Sequence, residues 1–144
     1  MSTSKIYQPK ADQLLAKAEL RRTDARRSVL ELFLSKNYAL SHAEIEKELE
    51  VYCDRVTIYR ILATFEEHGI LHKIVGSDSV AQYALCDDHT CDSHHHHDQH
   101  MHFQCVTCQK IYCLTMTAIP EQTLPSGFRL QKLTVNAEGL CENC

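Results

Sequence analysis

The sequence predicts an α+β protein with a winged helix-turn-helix in its first half and a small α/β unit in its second half. Apolar residues at helical spacing fill the first half, and two short runs of alternating apolar and polar residues follow the last helix. The second half contains two C-x-x-C pairs and three short strand-like segments. We divide the chain into residues 1–86, a His- and Cys-rich hinge loop at 87–99, and residues 100–144.

Composition and charge narrow the functional classes. The 144 residues suffice for one domain or two small ones, and no stretch approaches the ~20 apolar residues of a membrane span. The net charge is −4, but residues 1–75 carry +1 and residues 76–144 carry −5, so nucleic-acid contacts belong to the first half. Eight cysteines occur without a hydrophobic signal peptide. We therefore expect a cytoplasmic protein, with no membrane partner, whose cysteines bind metal rather than form disulfides.

Four helices are predicted before the hairpin. The first covers residues 10–20, and the second covers residues 24–36 with Thr23 as its N-cap. Residues 37–40 form a break, after which Ser41 and Glu44 offer a capping box for a short third helix. The fourth helix, residues 55–68, follows the N-cap Asp54 and ends before Gly69.

The fourth helix has a basic and hydroxylated face that is typical of a recognition helix in the DNA major groove. That face presents Arg55, Thr57, Tyr59 and Arg60. Arg26 and Arg27 lie in the first turn of the second helix, where the helix dipole disfavours them, and this indicates an external anionic partner. On pattern alone, a solvated surface is the commoner explanation for the face of the fourth helix, and it explains Arg26 and Arg27 equally well.

The next two segments, Leu71–Val75 and Ala81–Leu85, predict a β-hairpin that forms the wing. With a turn centred near Ser79, His72 and Cys86 become cross-strand neighbours whose Cβ atoms lie about 5 Å apart, close enough to share an ion. A lone exposed strand histidine is usually only a surface residue. The cysteine partner and the adjacent His-rich run favour a metal ligand here.

Four cysteines in the second half predict a closed zinc site. Cys105 and Cys108 form a C-x-x-C that is matched 33 positions later by Cys141 and Cys144. Two intervening residues let a tight turn direct both thiolates at one ion, and two such turns complete a tetrahedron. A pair of disulfides is the alternative, which a reducing compartment disfavours.

A second metal site is predicted at His100 and His102. The segment Met101–Cys105 has the pattern of a strand, and strand alternation places both imidazoles on one face, with further ligands from elsewhere. For the four-His run at residues 94–97, a solvated loop with incidental metal affinity is an equal alternative. The sequence assigns no role to Cys53, Cys91 or His89.

The rest of the second half predicts a poor core. A strand at residues 110–114 completes a zinc-clasped hairpin, residues 117–123 form a short helix interrupted by Pro120, and residues 128–136 form the last strand, before a turn at 137–139. These elements bury little apolar surface alone. We therefore expect a homodimer that is built through an extended sheet.

Taken in this order, the motifs resemble those of the ferric uptake regulator family of metal-dependent repressors over essentially the whole chain. The motifs are T-x-x-R at residues 23–26, V-T-I-Y-R at 56–60, H-x-H-x-x-C-x-x-C at 100–108 and the terminal C-x-x-C. The resemblance implies a homodimer with an N-terminal DNA-binding domain and a C-terminal dimerisation domain. It also implies a structural zinc in the four cysteines and a regulatory metal at the hinge between the domains.

The resemblance extends to single residues. Tyr59 and Arg60 match the recognition-helix pair that meets operator DNA, and Arg21 matches a basic residue that reaches the minor groove. The histidines of H-x-H, residues 100 and 102, match the hinge ligands. His72 and Cys86 match ligands of the zinc-sensing branch, the zinc uptake regulators.

Three positions depart from the iron-sensing pattern. Ala84 and Cys113 stand where hinge glutamates are expected, and Ala39 stands where a histidine is expected. Softer ligands favour zinc over ferrous iron or manganese, and Cys113 becomes a further candidate for the regulatory ligand set.

The expected function is a repressor, not an enzyme, that senses zinc and controls zinc uptake genes. An ion joining the wing to the hinge would hold the two recognition helices of the dimer about 34 Å apart, the spacing of half-sites in a palindromic operator. The alternatives are an iron- or peroxide-responsive regulator of the same family, with Fe or Mn as the regulatory metal, a zinc enzyme, and a zinc buffer. The enzyme alternative lacks an H-E-x-x-H or H-x-E…C-x-x-C motif to supply a general base.

Overall fold

The computed structural model describes residues 4–76, 78–85, 91–92, 95–96, 101–114, 123–131 and 133–144. The elements are α1 (Ser4–Lys17), α2 (Asp24–Ser35), β1 (Leu40–Ser41), α3 (His42–Leu49), α4 (Arg55–Glu67), β2 (Leu71–Val75), β3 (Ala81–Leu85), β4 (Cys91–Asp92), β5 (His95–His96), β6 (Met101–Cys105), β7 (Ile111–Leu114) and β8 (Val135–Gly139). This combination of helices and small sheets confirms the predicted α+β class. Within the described residues, no helix is long and apolar enough to cross a membrane.

The four helices and the first sheet share one apolar core. Its largest fully buried side chains are Leu15, Leu30, Phe33, Ile45, Ile58, Leu62, Phe65 and Leu71. The sheet has the order β1-β3-β2, and both pairings are antiparallel. Helix α3, a turn, helix α4 and the β2–β3 hairpin follow one another as predicted for a winged helix-turn-helix.

The predicted N-caps are confirmed by their hydrogen bonds. The Thr23 hydroxyl accepts from the Arg26 amide at 3.3 Å, and the Asp54 carboxylate accepts from the Thr57 amide at 2.7 Å. Ser41 and Glu44 form the full capping box at the start of α3. Because each cap satisfies amides that lack a partner within the helix, these side chains determine where α2, α3 and α4 begin.

The first helix differs from the prediction at both ends. It begins at Ser4 rather than at residue 10, and Pro9 lies inside it. It ends at Lys17 because Glu19 adopts a left-handed backbone with φ 56°, and the Leu20 amide then donates to the Leu15 carbonyl at 2.8 Å. Helices α2 and α4 each end one residue before the predicted limit.

The wing has the predicted strands but a different register. His72 lies opposite Ala84, and Leu71 lies opposite Leu85, so the predicted cross-strand pairing of His72 with Cys86 is wrong. The turn is centred one residue earlier than expected because the Ser79 amide donates to the Gly76 carbonyl. Leu40 and Ser41 form β1, which pairs with β3. Leu40 was predicted to belong to a break.

The second half forms a sheet of order β7-β6-β8. Strands β6 and β7 are antiparallel, as expected for the clasped hairpin, and β8 is parallel to β6. The predicted strand at residues 128–136 is wrong in most of its length, because Phe128 and Leu130 are exposed and unpaired with any described strand, whereas Val135–Gly139 is the strand. The predicted turn at residues 137–139 is therefore part of β8. The predicted helix at residues 117–123 lies outside the described residues except for Thr123, which is not helical.

The two halves meet where β7 approaches β1 and the wing. The Ala39 amide donates to the Ile111 carbonyl at 2.8 Å. Ala39, Ile74, Ala84 and Ile111 form a small apolar cluster, against which Cys113 packs. This interface cluster connects the winged helix to the second sheet.

Candidate metal centres and DNA-contact surface

The four cysteines of the two C-x-x-C pairs lie together. Cys105 ends β6, and Cys141 and Cys144 follow β8, so the parallel pairing of these strands brings the two cysteine pairs to the same end of the sheet. All four sulfur atoms lie within 4.8 Å of one another, and Cys108 Sγ lies 3.8 Å from Cys141 Sγ. A tetrahedron with Zn–S bonds of about 2.3 Å has edges of about 3.8 Å. The geometry fits a closed four-thiolate zinc site.

The surroundings of Cys105 and Cys141 favour thiolates, whereas those of Cys144 favour the thiol. The backbone amides of Cys108 and Cys141 lower the pKa of Cys105 to about 6. Burial raises the pKa of Cys141, but hydrogen bonds from the Asn143 amide and the Tyr112 hydroxyl outweigh it and the pKa falls. Hydrogen bonding to Cys141 raises the pKa of Cys144 to about 12, so that thiol needs the cation itself to lose its proton.

Tyr112 is a neighbour of this centre that the sequence reasoning missed. Burial and its hydrogen bond to Cys141 raise its pKa to about 12, which keeps the phenol protonated as a donor to the sulfur. Its ring meets the Tyr38 ring edge-on at 6.2 Å, and Lys110 Nζ lies 4.5 Å from the centre of the Tyr38 ring. No sequence pattern marks this residue, because its partners come from distant segments.

A second ligand cluster lies between the wing and the second sheet. His72 on β2, His102 on β6 and Cys113 on β7 place their ligand atoms within 4.8 Å of one another. His72 Nε2 lies 3.1 Å from Cys113 Sγ, and the two imidazoles stack at 5.4 Å between centroids. His102 and Cys113 are directly opposite in the sheet, and both histidines are buried. Two imidazoles and a thiol form a borderline-soft donor set.

The structure brings together three of the five predicted hinge ligands. Cys86 and His100 lie outside the described residues. Cys113, which entered the predicted set only as a further candidate, is in direct contact with His72. No carboxylate joins His72, His102 and Cys113 within the part of the chain that the structure describes.

Most residues of the predicted DNA-contact face are accessible. Arg55, Tyr59 and Arg60 are exposed on α4, and Thr57 is half-buried beside them. Arg21 is exposed ahead of α2.

The two arginines at the start of α2 have internal partners. Arg26 Nη1 donates to the Arg21 carbonyl at 2.9 Å and so holds the segment that carries Arg21. Arg27 forms an ion pair with Asp12 on α1 at 2.7 Å. The dipole argument for an external anion is therefore wrong for Arg27, whose partner is a carboxylate within the protein.

Tyr59 lies against a residue that the sequence reasoning did not select. The His42 ring, at the start of α3, stacks on the Tyr59 ring at 3.7 Å between centroids and 23° between planes. Glu46 Oε2 lies 3.6 Å from His42 Nδ1 and 3.9 Å from Arg55 Nε. The Arg55 guanidinium lies 5.9 Å from the Tyr59 ring centre. The position of His42 directly after an N-cap gives no sign of this contact.

The remaining cysteines and histidines do not extend either centre among the described residues. Cys53 is buried in the helical core, and burial raises the pKa of its thiol, which indicates a packing role. Cys91 pairs with His96 across the short β4–β5 ladder, within the predicted hinge loop. His89, His94 and His97 lie outside the described residues.

Comparison with known proteins relates the chain to one family. The model of the ferric uptake regulator family matches residues 17–136. A structure described as a zinc uptake regulator complexed with zinc and DNA has a TM-score of 0.65 and 25% identity, covering 100% of this chain and 96% of its own. A structure of holo XcZur has a TM-score of 0.63 and 20% identity, covering 98% of this chain and 97% of its own. The structure of the Vibrio cholerae ferric uptake regulator has a TM-score of 0.58 and 20% identity, covering 90% of this chain and 98% of its own. No curated protein matches in sequence.

Proposed function

The chain belongs to the ferric uptake regulator family, and we propose that it is a zinc-sensing repressor that controls zinc uptake genes. Members of this family are DNA-binding regulators rather than enzymes. The observation that carries the zinc assignment is the cluster of His72, His102 and Cys113 between the wing and the second sheet. Imidazole and thiolate ligands favour zinc, whereas ferrous and manganous sites favour carboxylates.

The proposed regulatory site also includes Cys86 and His100. His100 is two positions before His102, so strand alternation would place both on one face. Cys86 stays in the proposed set on the sequence argument alone, because the described part of β3 ends at Leu85. The set then has five candidate ligands, whereas a zinc ion takes four. Three of the candidates are histidines, and Cys86 and Cys113 are the alternatives for the single thiolate ligand.

We assign the four-cysteine centre a structural zinc. Its donors form a closed set, so no position remains for a substrate or for exchange during sensing. We also keep the predicted division into a DNA-binding domain at residues 1–86, a hinge at 87–99 and a dimerisation domain at 100–144. We place the protein in the cytoplasm, a reducing compartment that keeps the cysteine thiols of both centres reduced.

The proposed mechanism is a population shift. His72 belongs to the wing, whereas His102 and Cys113 belong to the second sheet, so one ion bound to all three fixes the winged helix relative to that sheet. In a homodimer the same constraint acts twice and sets the separation of the two recognition helices at about 34 Å. Zinc and palindromic operator DNA then bind with reciprocal coupling.

The DNA-contact set is the predicted one. Tyr59 and Arg60 read bases from α4, Arg55 and Thr57 support them, and Arg21 reaches the minor groove from a segment that Arg26 holds in place.

The test is DNA selection followed by metal titration. The 144-residue protein is used to select duplexes from a random library in separate experiments with zinc, ferrous iron and manganous ion. Binding of each selected duplex is then measured against all three metals. We expect zinc-dependent binding for the parent, and loss of that dependence for Cys86→Ser or Cys113→Ser, whichever supplies the thiolate, with the dimer and the structural zinc retained. A parent that responds to ferrous iron and ignores zinc contradicts the zinc assignment and favours the iron-responsive alternative.

A further inference from the structure

We propose that His42 is a positioning residue that holds Tyr59 in the orientation required for reading DNA. This inference rests on the proposed function, because it concerns how one residue of the DNA-contact set is held. The observation is the close stack of the two rings, at 3.7 Å between centroids and 23° between planes.

Tyr59 needs such support because of its place on the surface. Its side chain is 49% exposed on α4, so the protein core restricts its two side-chain torsions only partly. An exposed tyrosine that samples several rotamers loses conformational entropy when it is fixed against a base. A ring already fixed before binding loses less.

His42 is well placed to supply that restraint. It is the first residue of α3, where the Ser41–Glu44 capping box fixes the backbone. Its side chain is only 14% exposed, and no described residue forms a hydrogen bond to its Nε2 atom, which is buried. Packing against Tyr59, with Glu46 beside Nδ1, therefore accounts for the orientation of the imidazole.

The stack also joins the two helices of the helix-turn-helix. His42 belongs to α3 and Tyr59 to α4, and Glu46 lies within 4 Å of both His42 and Arg55. The Arg55 side chain also approaches Tyr59, with Arg55 Cζ 5.9 Å from the centre of the Tyr59 ring. His42 and Arg55 thus both approach the Tyr59 ring, and of these two it is His42 that stacks on it.

The experiment is a double-mutant cycle on DNA affinity. Parent, His42→Ala, Tyr59→Ala and the double variant are compared on the duplex selected by the parent with zinc and on a random duplex of equal length. We expect His42→Ala to weaken binding to the selected duplex about three- to tenfold, the range of an aromatic pair, with less than twofold change on the random duplex. In the Tyr59→Ala background the same substitution should have no further effect.

A matched variant separates positioning from general support of the helix. His42→Phe keeps a planar ring and should restore affinity for the selected duplex to within twofold of the parent. Thermal unfolding and zinc content are measured for every variant. Equal losses for His42→Ala with and without Tyr59, or failure of His42→Phe to restore affinity, would overturn the positioning role.

Failure of the proposed function gives a different result. A parent that enriches no sequence from the random library with any of the three metals removes the repressor assignment itself, and with it the reader role of Tyr59. Nuclear Overhauser contacts between the two rings in the free protein test the stack without DNA, and their absence overturns the inference even when the parent binds its operator.

Discussion

Replacing Ile111 by Ala tests whether packing between the two halves contributes to metal sensing. Ile111 is 2% exposed and packs against Ala39, Ile74 and Ala84 in the interface cluster. Removing such a side chain costs about 2–5 kcal/mol, and we expect about 2 kcal/mol here because the two sides of an interface can close on the cavity. The proposed zinc ligands lie on both sides of this interface, so zinc binding must then supply the lost docking free energy.

The magnitude follows from linkage. A loss of 2 kcal/mol in docking free energy corresponds to an apparent zinc affinity of the regulatory site that is about 30-fold lower. This full effect is reached when the two halves are undocked in most molecules of the metal-free variant. Ile111→Val removes one methyl group and should lower the affinity only about two- to tenfold. The structural centre should keep its zinc in both variants.

The assay is competition for zinc with a chromophoric chelator, after the four-cysteine centre has been filled. Ile45→Ala is the matched control, because it removes the same atoms from a site that is also buried but belongs to the helical core. It should lower the unfolding temperature and leave the regulatory zinc affinity within twofold of the parent. A regulatory affinity that is equal in Ile111→Ala and the parent would refute the coupling of docking to metal binding.

Three further outcomes are expected. Cys141→Ser should lose the structural zinc and, with it, the dimer, because it removes one donor of a closed tetrahedron; metal analysis and analytical ultracentrifugation check this, and a dimer with full zinc content speaks against the structural role. Arg60→Ala should weaken binding to the selected duplex by about 1–3 kcal/mol with zinc content unchanged, as measured by gel shift; an unchanged shift removes α4 from the reader role. Ser41→Ala should lower stability by about 1 kcal/mol, or about 3 °C in Tm, because it breaks the capping box of α3; no change in calorimetry would show that Glu44 alone satisfies that helix end.

Local rules correctly predicted where α2, α3 and α4 begin. Thr23, Ser41 and Asp54 begin helices because their side chains bond to amides a few residues away, and that geometry can be read from neighbouring letters. Each of the two C-x-x-C pairs is an equally local pattern. Because the two pairs match in number and type of ligand, the sequence predicted that they meet at one ion. Each helix cap and each single C-x-x-C pair depends on few residues at short separation.

The errors have two causes, namely pairing between distant segments and one unusual backbone conformation. The position of β8 depends on parallel pairing with β6, some 34 residues away, and the exposed apolar residues 128 and 130 gave a misleading alternation. The end of α1 at Lys17 requires a left-handed backbone at Glu19, a residue type that rarely adopts one. The contact of Cys113 with His72 and the stack of His42 on Tyr59 join separate segments, so no spacing in the sequence indicates them.

The hydrogen bond from Ala39 to Ile111 has a consequence for how two copies of the chain can join. Each open edge of a sheet offers unpaired amides and carbonyls to another strand. At β7 this edge is taken up at Ile111 by the winged helix of the same chain, and Cys113 on that strand contacts His72. Among the described strands, β8 forms the opposite margin of the sheet β7-β6-β8. We infer that a second copy extending this sheet would add to it at β8, which leaves the regulatory cluster on the outer flanks of the pair, away from the joint between the two copies.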